Sequence, residues 1–313
     1  MSLKLTLYFT QLLDTSGLTM FLPLFPYFFS HLSGFSTKEA GLLYGLLVGC
    51  FPFGQVIGNN LFGVISDLHG RRKLLIVSCF LQIGTGVFTA FSQSVWMLAL
   101  ARFLAGMFSG TSSVVQSYVA DVTSKEDRGK ELGRVGAFSG LGLIVGPVVG
   151  ILFGYTVQPI AKAWFVASLT GAGISFVNLV LVIVFVKESA AFLSQTDEKK
   201  IRRICLRWGE MSSGRLRSVI VILFTSFVGA FAFILLEAVI PLLCIDVFQY
   251  LSWQLIVIFS GFLLVSILMQ LLLFGRLMVM VKDIRNVATC IYVLGALINV
   301  VLTMMNNWIY TAA

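Results

Sequence analysis

The chain has 313 residues, of which 58% are hydrophobic and 12% charged, with a formal net charge of +8 and a mean hydropathy of +0.95. Soluble domains carry about 25% charged residues, so this composition excludes a pair of water-soluble domains and makes lipid the solvent. The surplus of bases is not the footprint of a nucleic-acid binder, because the bases stand in short loops between apolar runs, where they set the orientation of a membrane protein.

Apolar runs of about 20 residues read as transmembrane helices. Nine are expected, near 5–30, 40–66, 74–92, 95–121, 134–156, 163–186, 218–245, 253–275 and 286–308. Helices satisfy every backbone group within one segment, and the period-two alternation of a membrane β-barrel is absent. The fold class is therefore an all-α membrane protein. Nineteen bases fall in loops on one side: Lys4, Arg71 to Lys73, Lys125 to Arg134, eight between the sixth and seventh spans, and Arg276 to Arg285. Only Lys38 and Lys162 fall on the other, and Arg102 lies inside a span. This asymmetry predicts a cytoplasmic N-terminus and a cytoplasmic central loop.

Residues 1–187 form a first six-helix bundle on this reading, 188–217 a basic central loop, and 218–313 about three helices of an incomplete second bundle. Within the loop, Ile201, Ile204, Trp208 and Met211 share a helical face among bases. That pattern fits a short helix lying on the inner membrane surface, or a solvated linker.

Five cysteines, with no CxxC, read as small buried hydrophobes rather than a disulfide frame or metal site. The histidines His31 and His69 are expected in loops. No HExxH, GxSxG or P-loop pattern occurs, so no hydrolase, metalloprotease or ATPase is expected, nor any cofactor. GLGLIVG in the fifth span lacks a preceding strand and has the wrong spacing for a dinucleotide loop.

Polar residues inside the apolar spans carry the chemistry. The first span contains QLLDTSGLTMFLPLFPYFF, with Asp14 near mid-membrane, followed by Gly17, Pro23 and Pro26. Asp14 reads as a proton or substrate group, as a fixed partner for Arg102, or as a polar packing residue. Between the second and third spans stands GVISDLHGRRK. Gly63 would let its helix approach a neighbour, Gly70 permits a tight turn, and Asp67 sits at a helix end where an ion pair can form and break. Arg71 is placed to pair with Asp121 at the end of the fourth span. A plain basic loop would not explain Asp67 or the glycines.

Arg102 lies a third of the way into the fourth span, where a charge costs about 2.5–3.5 kcal/mol on insertion scales. It reads as a cavity residue, a structural ion pair or a snorkelling anchor. The fifth span is GRVGAFSGLGLIVGPVVGILFG. Its glycines 142, 146, 150 and 154 share one helical face, on which a neighbour can pack closely, and Pro147 removes one backbone hydrogen bond. In the seventh span, Glu237 precedes Pro241 and is a second carboxyl candidate. Lesser cavity candidates, each expected to turn inward, are Gln11, Asn59, Asn60, Gln116, Asn178 and Gln270.

The pattern Gly63, Asp67, Gly70, Arg71, Arg72 resembles the signature loop of the major facilitator superfamily, although Leu68 replaces a usual base. Gly133, Gly142, Gly146, Pro147 and Gly150 resemble the fifth-helix motif of its proton-coupled antiporters, with Ile151 in place of a final glycine. Arg102 and Gly106 resemble its fourth-helix pattern, with Ala105 where glutamine is common. The run YVADVTSKEDRGKELG is similar to the tetracycline and multidrug exporters of that superfamily, Asp121 and Arg128 carrying the match.

The resemblance implies a fold of twelve helices in two bundles, with substrate held between them. It implies proton-coupled antiport of a small organic molecule by alternating access, with Arg102 linked to proton coupling and the Asp67 loop holding the outward-open state. By pseudo-symmetry it pairs Pro241 with Pro23 and puts Glu237 at the level of Thr19. It implies a monomer whose partners are a small-molecule substrate, protons and lipid. Two other readings stand beside it: an uncoupled facilitator of a small solute, and a truncated, non-transporting scaffold or regulator of a longer partner, prompted by the stop at Ala313 directly after the ninth span.

Overall fold

The computed structural model describes residues 3–35, 41–124, 126–188 and 224, and residues 3–188 belong to one compact unit. The seventh to ninth spans, the Ile201–Met211 segment, Glu237, Pro241 and Gln270 lie outside the described residues. Among the described residues there are eight α-helices and one short 3-10 helix, with no strand. They are α1 (Leu3–Thr19), the 3-10 turn Leu22–Leu24, α2 (Phe25–Ser33), α3 (Gly41–His69), α4 (Arg71–Ala90), α5 (Val95–Phe108), α6 (Thr111–Val122), α7 (Arg128–Thr156) and α8 (Ile160–Phe185). The six apolar runs before residue 187 all fall on these helices. Among the described residues five stretches are long and apolar enough to cross a membrane, one of them, Val95–Val122, running through both α5 and α6.

The first crossing is interrupted. A proline ring clashes with the carbonyl four residues earlier and offers no N–H, and α1 ends at Thr19, four residues before Pro23. The chain makes one 3-10 turn and resumes as α2 with Pro26 in its first turn, where the missing N–H has no intrahelical partner to lose. Gly34, at φ +72°, closes α2 in the left-handed conformation, its N–H donating to the Ser30 carbonyl at 3.0 Å. The histidines are not in loops: His31 and His69 occupy the last turns of α2 and α3, on exposed positions.

The fourth crossing is also two helices. Ser94 caps α5 by accepting from the Met97 N–H at 3.2 Å. At the α5–α6 junction the Ser109 hydroxyl donates to the Gly106 carbonyl at 2.7 Å, and a Cβ on Gly110 would run into the Phe62 ring.

Helices in lipid gain little from hiding apolar surface from one another, so close packing of small residues decides which helices meet. α1 lies against the glycine face of α7. A Cβ on Gly142 would stand 2.6 Å from the Leu12 carbonyl oxygen, and Cβ atoms on Gly146 and Gly150 would overlap Thr19 and the Met20 carbonyl. On another side of α1, a Cβ on Gly171 of α8 would stand 2.8 Å from the Gly17 carbonyl oxygen. α3 meets α5 through Gly54 and Gly58, facing Phe103 and Met107, and through Gly106, facing Phe51. Gly63 takes no part: nothing lies within 4 Å of where its Cβ would be. The close approach expected there occurs about one and a half and two and a half turns earlier, at Gly58 and Gly54.

Two apolar clusters fill the bundle. One, toward the Arg71 end, gathers Leu7, Leu75, Val114, Val115, Tyr118 and Val119. The other, at the opposite end, gathers Met20, Phe25, Phe28, Phe29, Leu98 and Trp164. Trp164 stacks on Phe28 with ring centroids 4.3 Å apart, and its indole N–H donates to the Thr89 carbonyl at 3.0 Å.

Gly146→Val should separate α1 from α7, at a cost of about 1–3 kcal/mol or more. Gly173→Ala, on the same bundle with nothing within 4 Å of the new methyl, should be neutral. Thermal unfolding of the two variants in detergent, followed by tryptophan fluorescence, checks this; equal melting would mean the glycine face does not hold the helices together.

Candidate functional site

The α3–α4 junction is a single residue. The loop expected at GVISDLHGRRK is helical on both sides of Gly70, which adopts φ +103°, a conformation strained for any residue with a side chain. The reversal sets Asp67, on the last turns of α3, against Arg71, the first residue of α4. Arg71 Nη2 lies 2.5 Å from Asp67 Oδ1, and Nε donates to Asp121 Oδ2 at 3.1 Å. Nη1 donates to the Ser66 hydroxyl. The predicted Arg71–Asp121 pair is therefore present, and one guanidinium fork ties α3, α4 and α6 together. The Arg71 side chain is only 9% exposed whereas that of Asp67 is 36% exposed, so the outer half of this arrangement can exchange with water while the inner half is held.

A residue that the sequence reading passed over completes the junction. Glu188, just past α8, accepts from the backbone N–H groups of Arg71 at 2.8 Å and Arg72 at 3.3 Å. A carboxylate there satisfies N–H groups that a helix start leaves open and complements its positive end. Arg72 Nη2 donates to the Ile183 carbonyl at 3.0 Å, and the Tyr118 hydroxyl donates to the Lys187 carbonyl. The start of the central segment is thus strapped to the junction. The signal for Glu188 was weak: one acid after the last apolar residue of a span.

Asp14 is 2% exposed and points into the bundle between α4 and α6. Gln82 Nε2 donates to its Oδ1 at 2.6 Å and to Thr111 Oγ1 at 3.1 Å. The Thr111 hydroxyl meets that of Ser78 at 2.5 Å, and Ser78 donates to the Phe108 carbonyl at 3.1 Å. The Gln82 amide nitrogen faces acceptors throughout, which fixes its orientation and turns its oxygen the other way.

Arg102 sits in different surroundings. It is 4% exposed, and its guanidinium carbon lies 5.3, 5.1 and 4.9 Å from the ring centroids of Phe21, Phe25 and Phe51. Desolvated cation–π contacts of this kind are worth about 2 kcal/mol or more. They explain how a charge survives on α5 at this depth, and they take the place of the Asp14 pairing considered from sequence.

The lesser candidates divide. Gln11 is buried and donates to Ser112 at 3.2 Å and Ser139 at 3.4 Å, joining α1 to α6 and α7. Asn178 is fully buried and donates to the Thr10 carbonyl at 3.3 Å. Asn59 is half-buried. Asn60 and Gln116, expected to turn inward, lie on the open surface of this bundle. Each satisfies its amide one turn back instead, on the Val56 carbonyl at 2.7 Å and on Ser112 at 3.4 Å.

At the start of α7 stands a further cluster that the sequence reading missed. Glu131, 6% exposed, accepts from the Tyr8 hydroxyl, from Lys4 at 3.2 Å and from Arg134 at 3.1 Å. It pins the beginning of α7 to the beginning of α1, two residues before the half-buried Gly133, where the glycine motif starts. An acid in the first turn with an arginine three residues on was the available signal.

The comparisons with known proteins bear on this geometry. The family profile described as "Major Facilitator Superfamily" matches residues 7–313. The class B tetracycline resistance protein of Escherichia coli is 32% identical over 196 residues, which cover 63% of this chain and 47% of that protein. The class D protein of Salmonella ordonez is 35% identical over 144 residues, 46% of this chain and 36% of that one. The chain thus spans about half or less of the length of these curated relatives. Among solved structures, the human organic anion transporter MFSD10 (TETRAN) superimposes with a TM-score of 0.70 at 21% identity, covering 88% of this chain and 72% of that chain. The xylose transporter XylE from E. coli gives 0.52 at 22% identity, covering 64% and 52%. At these identities the superpositions speak for the fold alone. With the profile running through nearly the whole chain and the Gly70 junction and α7 glycine face formed as described, the chain is an integral, multi-pass membrane protein that belongs to the Major Facilitator Superfamily, a family of transporters rather than enzymes.

Proposed function

We propose that this protein is a secondary transporter that exports a small organic molecule in exchange for protons, by alternating access. The observation that carries the reading is Asp14: a carboxyl 2% exposed within an apolar bundle, with Gln82 Nε2 donating to it at 2.6 Å. Intramembrane carboxyls are expensive and mark proton or ion routes. The tetracycline resistance proteins among the relatives support a drug or drug-like cargo, and the organic anion transporter among the solved structures supports an organic solute. Residues 1–187 serve as the first bundle, 188–217 as the basic central loop and 218–313 as helices of the second. The bias of bases places the N-terminus and the central loop in the cytoplasm.

In this scheme Asp14 takes and releases the coupled proton, with Glu237 as a second candidate, and Arg102 and Gln116 belong to the coupling and cargo region. The Asp67–Arg71–Asp121 junction, with Gly63, Gly70 and Arg72, is the gate. Glu188 holds the start of α4 so that the Arg71 fork reaches both acids. The glycine face of α7, from Gly142 through Gly150 with Gly133 and Pro147, keeps α1 and α7 sealed together while the bundle moves as one body. A proton entering from the more acidic side and a substrate leaving compete for opposite states of the same cycle. The cargo is small-molecule and the surroundings lipid; no nucleic acid takes part, and the protein works as a monomer.

Two experiments test these roles. In liposomes holding the purified chain, an imposed proton gradient should drive uphill movement of tetracycline or of a fluorescent organic anion. Asp14→Asn should reduce this to background while leaving downhill exchange of the same probe measurable. The coupling role is lost if Asp14→Asn and Glu237→Gln both keep uphill transport, and movement indifferent to the proton gradient would make the protein a facilitator. For the gate, Asp121→Ala should lower stability by about 1–3 kcal/mol, the cost of leaving the buried Arg71 short of a hydrogen bond. Arg71→Lys should fail to restore turnover, because an ammonium cannot span two carboxylates as a fork does. Normal turnover in Arg71→Lys would reduce the junction to a simple positive charge.

A further inference from the structure

Beside Gln82, the partner of Asp14, the bundle holds a small cavity of about 20 Å³ lined by residues of α1, α4, α5 and α8. Its wall includes Gln82, Thr85 and Thr89 from α4, and Ser168 and Ser175 from α8. Two of these residues carry an unsatisfied polar atom. Gln82, 3% exposed, and Ser168, 2% exposed, are both deeply buried. Gln82 Oε1 and Ser168 Oγ have no hydrogen-bond partner among the described residues.

The contrast with the neighbouring hydroxyls is informative. Inside a helix a serine or threonine hydroxyl ordinarily returns to a carbonyl of the preceding turn. Thr89 does so to Thr85 at 2.8 Å, Ser175 to Gly171 at 3.2 Å and Thr85 to Gln82 at 3.0 Å. Ser168 does not. Each unsatisfied buried polar group costs about 1–3 kcal/mol, and here two of them, one an acceptor only and one a donor, belong to residues that line a single small cavity.

We propose that this cavity is a site for one ordered water molecule, which donates to Gln82 Oε1 and accepts from Ser168 Oγ, so that Ser168 on α8 is a positioning residue for Asp14 on α1. A water needs at least about 10–15 Å³ and two to four polar partners, and the cavity supplies both. Its second hydrogen is taken by a lone pair of Ser175 or Thr85, whose own hydrogens are spent on backbone. The amide oxygen is thereby held toward α8. That holds the amide nitrogen toward Asp14 Oδ1, at 2.6 Å. The inference stands on the Asp14–Gln82 geometry and does not depend on proton-coupled transport: the chain holds this water whether or not it carries cargo.

The test has two readings on the purified chain in lipid. A density map fine enough to resolve ordered solvent should show a single peak within hydrogen-bond distance of Gln82 Oε1 and Ser168 Oγ. In infrared spectra at low pH, the carboxylic C=O stretch that disappears in Asp14→Asn should shift in Ser168→Ala and return to its place in Ser168→Thr, which keeps the hydroxyl. A map with no peak between these atoms overturns the site. A peak together with an unmoved Asp14 band in Ser168→Ala overturns the positioning role. Should Ser168→Ala fold poorly, Ala105→Val, which puts extra carbons into the same cavity from α5, should displace the water and produce the same shift.

Discussion

The constraint on which this bundle depends is the closeness of α1 to two neighbours at once. Gly142, Gly146 and Gly150 let α7 press its backbone against residues 12–20 of α1, and Gly17 and Gly171 bring α8 equally near from another side. With its backbone held on two sides, α1 has little freedom to rotate. Its polar side chains are therefore aimed by geometry: Asp14 at α4 and α6, Gln11 at α6 and α7, and the Thr10 carbonyl at Asn178 of α8. A larger residue in either seam would move the first helix and, with it, the buried Asp14.

Lipid explains why these polar groups are netted together rather than scattered. Bulk water is not at hand in lipid, so most buried amides and hydroxyls find a partner across a helix boundary or return to their own backbone, Gln82 Oε1 and Ser168 Oγ being exceptions. The two buried charges take opposite routes. Asp14 is surrounded by hydrogen-bond donors. Arg102 lies against the faces of three phenylalanines, whose negative quadrupoles stabilise a cation. Keeping the two apart leaves each with its own environment, so that a change of protonation at Asp14 does not have to break an ion pair with Arg102.

Much of this was legible in the sequence, for identifiable reasons. The helices of the described unit follow from apolar length, and the Arg71–Asp121 pair follows from two charges at the same end of adjacent spans, whereas the first run was expected unbroken and the end of α1 at Thr19 was not anticipated. The glycine face of α7 follows from a four-residue period. Other features were not readable because they depend on which residues face each other across helices. Nothing in the run RRKLLIVSCFLQIG marks Gln82 as the partner of an aspartate 68 positions away. Glu188 and Glu131 look like ordinary charges at span ends until the helix starts they serve are in place. Gly63 shows the converse: it matches a recognised pattern, yet the close approach belongs to Gly54 and Gly58, which match none that was noted.

α4 is the element on which the separate parts converge. Its first residue is Arg71, whose fork holds the junction, and Gln82, three turns later, holds Asp14. The two are about 16 Å apart along one continuous helix. Ser78 and Gln82 face the α6 hydroxyl of Thr111, while Thr85 and Thr89 line the space shared with α8. A helix of 20 residues without an internal proline is stiff over that distance. A change in the hydrogen bonding of Gln82 and a change in the seating of Arg71 are thus two loads on one rod. If Asp14 exchanges a proton and the Arg71 junction is the gate, as proposed, the amide that must respond is rigidly attached to the residue at that junction, and no chain of flexible loops is needed between them.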